Sequence, residues 1–197
     1  IKDLEEGFLD EIIRARLVYS ATTNNDGNLK LLQEMQARAK AKGQPDPLEV
    51  EIKAILANDA SLRDPRKKNE VLWIAYENLI NRFVAEVAIA FLPIYKETNY
   101  RHGFVSTELP TAIVMAQGTT ADYADRVQAI VEAGKARFKA TQDEIAKLNG
   151  GVPTRNIFLK IPATEIGLKA GEILESLGYN VNYTLVATKE QYRATVI

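Results

Sequence analysis

The sequence predicts an α/β fold built on a parallel sheet, and three observations carry that prediction. Short runs rich in β-branched and aromatic residues alternate with helical stretches of ten or more residues, the order that gives parallel strands joined by right-handed crossovers. One run, Asn156–Ala163 (NIFLKIPA), is near-continuously apolar, as a strand covered on both faces must be. Polar residues of the strand runs fall near their C-terminal ends with one parity, so they share a face. A (β/α) barrel gathers its functional groups at that end. An open doubly wound sheet is the competing architecture. Against it, no Gly-x-Gly-x-x-Gly follows a strand and no Gly-x-x-x-x-Gly-Lys is present.

The elements follow in order. Ile1-Lys2-Asp3 reads as the end of a strand, and Leu4–Arg16 as an amphipathic helix with Phe8, Leu9, Ile12 and Ile13 on one side. Leu17–Thr23 (LVYSATT) reads as a buried strand. The turn formers Asn24 to Asn28 cap a helix from Leu29 to about Lys42, which Gly43-Gln44-Pro45-Asp46-Pro47 breaks. A helix over Leu48–Ala57 and a polar turn to Pro65 lead into the longest periodic run, Lys67 to about Lys96, which Pro93 should kink or end. Gly103–Leu109 (GFVSTEL) is a second buried strand. Thr119 and Thr120 open a charged helix to about Leu148, closed by Asn149-Gly150-Gly151. After NIFLKIPA come a helix Glu165–Leu177, a strand Tyr179–Ala187 and a short helix Lys189–Val196. There is no internal repeat and no linker, so residues 1–197 are expected to form one domain with a helical insertion at about 43–98.

Composition narrows the function. The chain has 197 residues, 46% apolar and 26% charged, with a net charge of −1, which suggests neither a nucleic-acid nor a membrane partner. No segment reaches the ~18–20 uninterrupted apolar residues of a membrane span. Zero cysteines exclude disulfides and thiolate metal sites, and suit a cytoplasmic address. With a single histidine, His102, neither a Ser/His/Asp triad nor a histidine metal site is expected. Acid–base chemistry must then fall to carboxylates, lysine or tyrosine.

Lys160 is the residue that stands out, a cation among Ile157, Phe158, Leu159 and Ile161. Burial disfavours the ammonium, and an amine kept neutral is a nucleophile suited to forming an imine with a carbonyl. The plainer reading is a lysine snorkelling to water or neutralising a buried carboxylate. Parity supplies its company. Lys160 shares its face with Asn156 and Phe158; the neighbouring runs place Phe104, Ser106 and Glu108, then Asn182, Thr184 and Val186, then Ser20, Thr22 and Asn24 on theirs. Singly, Glu108 could be a counter-ion, Thr184 a strand former and Asn24 a helix cap. Jointly they favour a site.

These residues resemble the transaldolase family, class I aldolases that work through a lysine imine on a (β/α)8 barrel. Ala21-Thr22-Thr23-Asn24 is similar to the family's TTNP turn, and Gly103–Leu109 to its G-x-[VI]-S-x-E-V strand. Ile157–Thr164, Gly167-Leu168-Lys169-Ala170 and Asn182-Tyr183-Thr184-Leu185 match, over about thirty residues, its I-K-[IL]-[PA]-[AS]-T…N-x-T-L block. The resemblance implies a TIM barrel of which this chain covers roughly the first five strands. It implies catalytic roles for Lys160 as Schiff-base lysine, Glu108 as the residue handling water, and Asp3 as the acid–base carboxylate. Asn24, Thr22, Ser106, Asn182 and Thr184 are implied as substrate-binding.

The same resemblance implies transfer of a dihydroxyacetone unit from a ketose phosphate to an aldose phosphate, with no cofactor and no metal. Fructose 6-phosphate and sedoheptulose 7-phosphate are the implied donors, erythrose 4-phosphate and glyceraldehyde 3-phosphate the acceptors. A homodimer is among the assemblies it allows. A fructose-6-phosphate-type aldolase and a catalytically silent sugar-phosphate-binding barrel are the alternatives. Two departures are visible: Asn25-Asp26 replace the proline after Asn24, and Pro110 follows Leu109. The family's phosphate-binding serine and arginine lie on later strands, so an incomplete barrel is expected.

Overall fold

In a computed structural model, residues 13–15, 18, 20–23, 25–110, 113 and 122–196 are described. The expected strand stub with Asp3, most of the helix at Leu4–Arg16, Asn24, Thr119 and Thr120 lie outside them. Among the described residues four parallel strands form one sheet in sequence order: β1 (Ser20–Thr22), β2 (Phe104–Glu108), β3 (Ile157–Pro162) and β4 (Val181–Thr184). Among the described residues they are accompanied by helices α1 (Asn25–Ala41), α2 (Pro47–Asn58), α3 (Lys68–Glu97), α4 (Tyr123–Leu148), α5 (Glu165–Ser176) and α6 (Lys189–Ala194). Two 3-10 turns, Ala60–Arg63 and Pro65–Lys67, join α2 to α3. Neighbouring strands that follow one another in sequence, all parallel and each joined by helix, are the arrangement of a (β/α) barrel; the sheet is part of one.

The strands are covered on one face only. Ile157, Leu159 and Ile161 of β3 are fully buried, whereas Phe158, Lys160 and Pro162 are half-buried. This corrects the expectation of a strand covered on both faces. The run NIFLKIPA is apolar throughout because its odd residues meet helices and its even residues line the concave inner face of the sheet. Behind the sheet, Ile80, Val84, Val87, Phe91 and Ile94 of α3 pack with Val105 and Ile157. Val127 and Ile130 of α4 and Leu174 of α5 pack with Leu109, Leu159, Ile161 and Val181. Each such side chain contributes about 1.5–3 kcal/mol of transfer free energy, so these two clusters fix the strands that carry the polar residues.

Local departures from expectation have local causes. Helix α1 starts at Asn25 instead of Leu29, although Asn, Asp and Gly are poor helix formers. Asn28 is buried and its side chain shares a hydrogen bond with the Tyr76 hydroxyl of α3, so tertiary contact holds the first turn. Pro93 does not end α3, which continues to Glu97. It forfeits one helical hydrogen bond in the penultimate turn, where buried Phe91, Leu92 and Ile94 hold the helix down. Helix α3 with the preceding 3-10 turn, Pro65–Glu97, is long and apolar enough to cross a membrane, but more than half of its most apolar stretch is buried inside the protein. It is the core helix.

The turn from α3 into β2 depends on Gly103, which has φ +83°. A Cβ there would lie 2.5 Å from the Tyr95 nitrogen and 2.8 Å from the Phe91 carbonyl oxygen. Both are backbone atoms and cannot swing aside. Gly103→Ala therefore combines left-handed strain of about 1–3 kcal/mol with a steric clash. We expect a loss of more than about 2 kcal/mol in urea unfolding, larger than for Gly43→Ala, where the added methyl meets nothing within 4 Å.

Candidate active site

Register decides which side chains can meet. Glu108 stands opposite Lys160, and Lys160 opposite Asn182; one step lower, Thr22, Ser106 and Phe158 are aligned, and one step higher Thr184 faces Pro162. The inner face therefore carries a row Glu108–Lys160–Asn182 at the C-terminal ends of three adjacent strands.

Lys160 Nζ lies 3.2 Å from Glu108 Oε1, with the two side chains 15% and 23% exposed. The same nitrogen donates to the Thr23 carbonyl oxygen at 3.4 Å, reaching across β2 to the end of β1. Asn182 Nδ2 donates to Ser106 Oγ at 3.0 Å, which ties the substrate-binding candidates of β4 and β2 into one layer. Thr22 is exposed on β1 and Thr184 half-buried at the top of β4. Thr184's backbone carbonyl accepts from the Ala163 N–H at 2.7 Å. The lysine is thus an ion-paired, partly accessible amine, and its immediate partner is a carboxylate. Hydrocarbon neighbours alone do not define its surroundings.

Asn156 shares the parity of Lys160 but sits at the other end of β3. It is fully buried, and its Nδ2 donates to the carbonyls of Ala88 at 2.8 Å and Gly103 at 3.0 Å, bolting β3 to α3 and the β2 turn. Phe104 and Phe158 pack with ring centroids 4.5 Å apart and floor the inner face. A cavity of about 310 Å³ opens there, lined by Arg101, His102, Ser106, Asn182 and the two phenylalanines among others. Among the described residues no cluster of three or more His, Asp or Glu side chains is arranged to hold a metal ion.

The sequence reading missed the support behind this row. Arg137 of α4 is buried and ion-paired with Glu77 of α3; its Nη1 donates to Asn81 Oδ1 at 2.8 Å, and Thr141 Oγ1 donates to the same oxygen at 3.3 Å. Burial pushes the Glu77 carboxyl up, against the opposing pull of Arg137, and pushes the Arg137 guanidinium down. Burial also pushes the Tyr76 phenol up, with the Glu77 and Glu108 charges adding to the shift. A polar residue breaking the apolar stripe of α3 at Glu77 is the one sequence signal for this network.

Comparison with known proteins adds three relatives and a family. "Transaldolase 2" of Nostoc sp. is 28% identical over 170 residues, 86% of this chain and 39% of that protein. "Transaldolase" of Trichodesmium erythraeum is 29% identical over 143 residues, 71% of this chain and 32% of that protein. "Transaldolase 2" of Streptomyces coelicolor is 28% identical over 186 residues, 94% of this chain and 42% of that protein. The chain spans about a third to two-fifths of the length of these curated relatives. The model of the family described as Transaldolase/Fructose-6-phosphate aldolase matches residues 47–196. That match takes in β2, β3 and β4 with the whole Glu108–Lys160–Asn182 row, and the chain belongs to the transaldolase/fructose-6-phosphate aldolase family.

Proposed function

We propose that this chain carries the imine-forming part of a transaldolase that moves a dihydroxyacetone unit from a ketose phosphate to an aldose phosphate. The observation that carries the reading is the 3.2 Å approach of Lys160 Nζ to Glu108 Oε1 on the inner face, at the strand ends where barrels hold their sites. An amine beside a carboxylate has what imine formation needs: a nucleophile, and a group that takes up and returns the protons of the attack and of water loss.

The steps balance as follows. The Lys160 amine adds to the C2 carbonyl, Glu108 relays a proton to the C2 oxygen, and water leaves to give a protonated imine. The C3–C4 bond then breaks, its electron pair passing to C3 and the iminium to form an enamine. The C4 hydroxyl proton goes to a carboxylate, a role assigned to Asp3, and the aldose phosphate departs. Carbon C3 attacks the aldehyde of a second aldose phosphate, whose oxygen takes the proton back from that carboxylate, and water then returns to release the new ketose and free the Lys160 amine. Asn182, Ser106 and Thr184, with Thr22 of β1 and with Asn24, are the groups assigned to the substrate hydroxyls and the water.

Borohydride reduction in the presence of fructose 6-phosphate tests this directly. The expected result is a stable mass increase of one dihydroxyacetone unit, mapped to Lys160 by peptide analysis; unmodified Lys160 rejects the imine. The family description also covers fructose-6-phosphate aldolases, which supports a second reading. Free dihydroxyacetone accumulating without an acceptor aldose would favour it.

A further inference from the structure

The core-facing stripe of α3 runs further than the sheet it covers. Ile80, Val84, Val87, Phe91 and Ile94 lie on that stripe and are buried, and Tyr76 packs at its upper end. Trp73 continues the same helical face, three residues before Tyr76, yet it is 49% exposed. Geometry explains why. With 30 residues, α3 is about 45 Å long, against about 17 Å for the five residues of β2. The last turns of α3 flank the start of β2, where Gly103 approaches Tyr95 and the Phe104 ring lies 5.2 Å from that of Tyr95. The first turns must therefore project past the C-terminal ends of the strands, where Lys160 and Glu108 sit.

Tyr76 is bound to Asn28 in the first turn of α1, directly after β1, and lies within electrostatic reach of Glu108. The Trp73 and Tyr76 rings are 5.6 Å apart. A large aromatic side chain left half-exposed on a stripe that otherwise meets the core is an unfilled contact surface. Sugar binding needs such a surface, because a polyol chain presents C–H groups between its hydroxyls, and pockets combine aromatic walls with few polar groups.

We propose that Trp73, held by Tyr76, is a wall of the mouth that packs against the carbon chain of the bound ketose phosphate, and so helps to set specificity. This rests on the imine reading of the same row, and one experiment separates the two. Tryptophan emission of the full chain is recorded as fructose 6-phosphate is added, for the wild type, Trp73→Phe and Lys160→Met, and borohydride labelling is run in parallel.

The expected result is a saturable change in emission in the wild type and in Lys160→Met, lost in Trp73→Phe, with Lys160 labelled in the wild type and in Trp73→Phe. Trp73→Ala should raise KM for fructose 6-phosphate about tenfold with kcat nearly unchanged, the pattern of lost uniform binding. Labelled Lys160 with unmoved Trp73 emission would overturn the wall and leave the imine standing. Moved emission without labelling would keep the wall as a sugar-binding surface and reject the imine, and silence in both would reject both.

Discussion

Lys160→Ala is expected to leave a folded protein with no turnover and no borohydride-trapped adduct. The amine is the bond-forming atom of the proposed imine, and no other lysine of the described inner face can replace it. The structural cost is small by comparison. Removing Lys160 takes one charged partner from Glu108 and one donor from the Thr23 carbonyl, on the order of 1–3 kcal/mol, in a partly open position. Activity and urea unfolding measured on the same preparation separate the two effects. Glu108→Gln is the informative contrast: it keeps the nucleophile and the shape but loses the proton relay. Its adduct should still form, at a rate lower by about 10²–10⁴. An Ala variant that still forms adduct would move the chemistry to another residue and end the Lys160 assignment.

How far this was legible in the sequence depends on the range of the forces involved. The strand carrying Lys160 could be read because an apolar run bounded by Pro162 has few other solutions, and strand alternation then placed Glu108, Ser106 and Asn182 with one parity. Their meeting needed register, and register depends on where each strand starts, which packing against α3 and α4 decides. Which face would be open was not readable: Phe158 and Ile157 are equally apolar, yet one lines the concave face and the other is sealed by helices. The start of α1 was misplaced because Asn28 is held by Tyr76, 48 residues away in the sequence. The Arg137–Glu77 pair was invisible for the same reason, since nothing in either helix alone names its partner.

That pair carries the second large effect. Arg137→Met removes the only charge shown to compensate Glu77, and takes from Asn81 Oδ1 one of its two buried donors, leaving the Thr141 hydroxyl. Arg137 is 4% exposed and Glu77 20%. Breaking a buried pair from one side costs about 3–5 kcal/mol at neutral pH, because an uncompensated carboxylate stays behind. The pH dependence has a definite sign. Burial already raises the Glu77 carboxyl above its ordinary range in the wild type, and without Arg137 it rises further. A carboxyl raised in the folded state keeps its stability below the unfolded value of 4.5 and loses it as pH climbs through the folded value. The penalty of Arg137→Met should therefore be largest at pH 7 and shrink toward pH 4–5, measured as the difference in urea midpoint from the wild type. Glu77→Gln added to Arg137→Met should recover part of the loss at pH 7, because the orphaned charge is gone. A penalty constant across that range would mean that Arg137 stabilises the α3–α4 contact by packing its long side chain, with its charge contributing little.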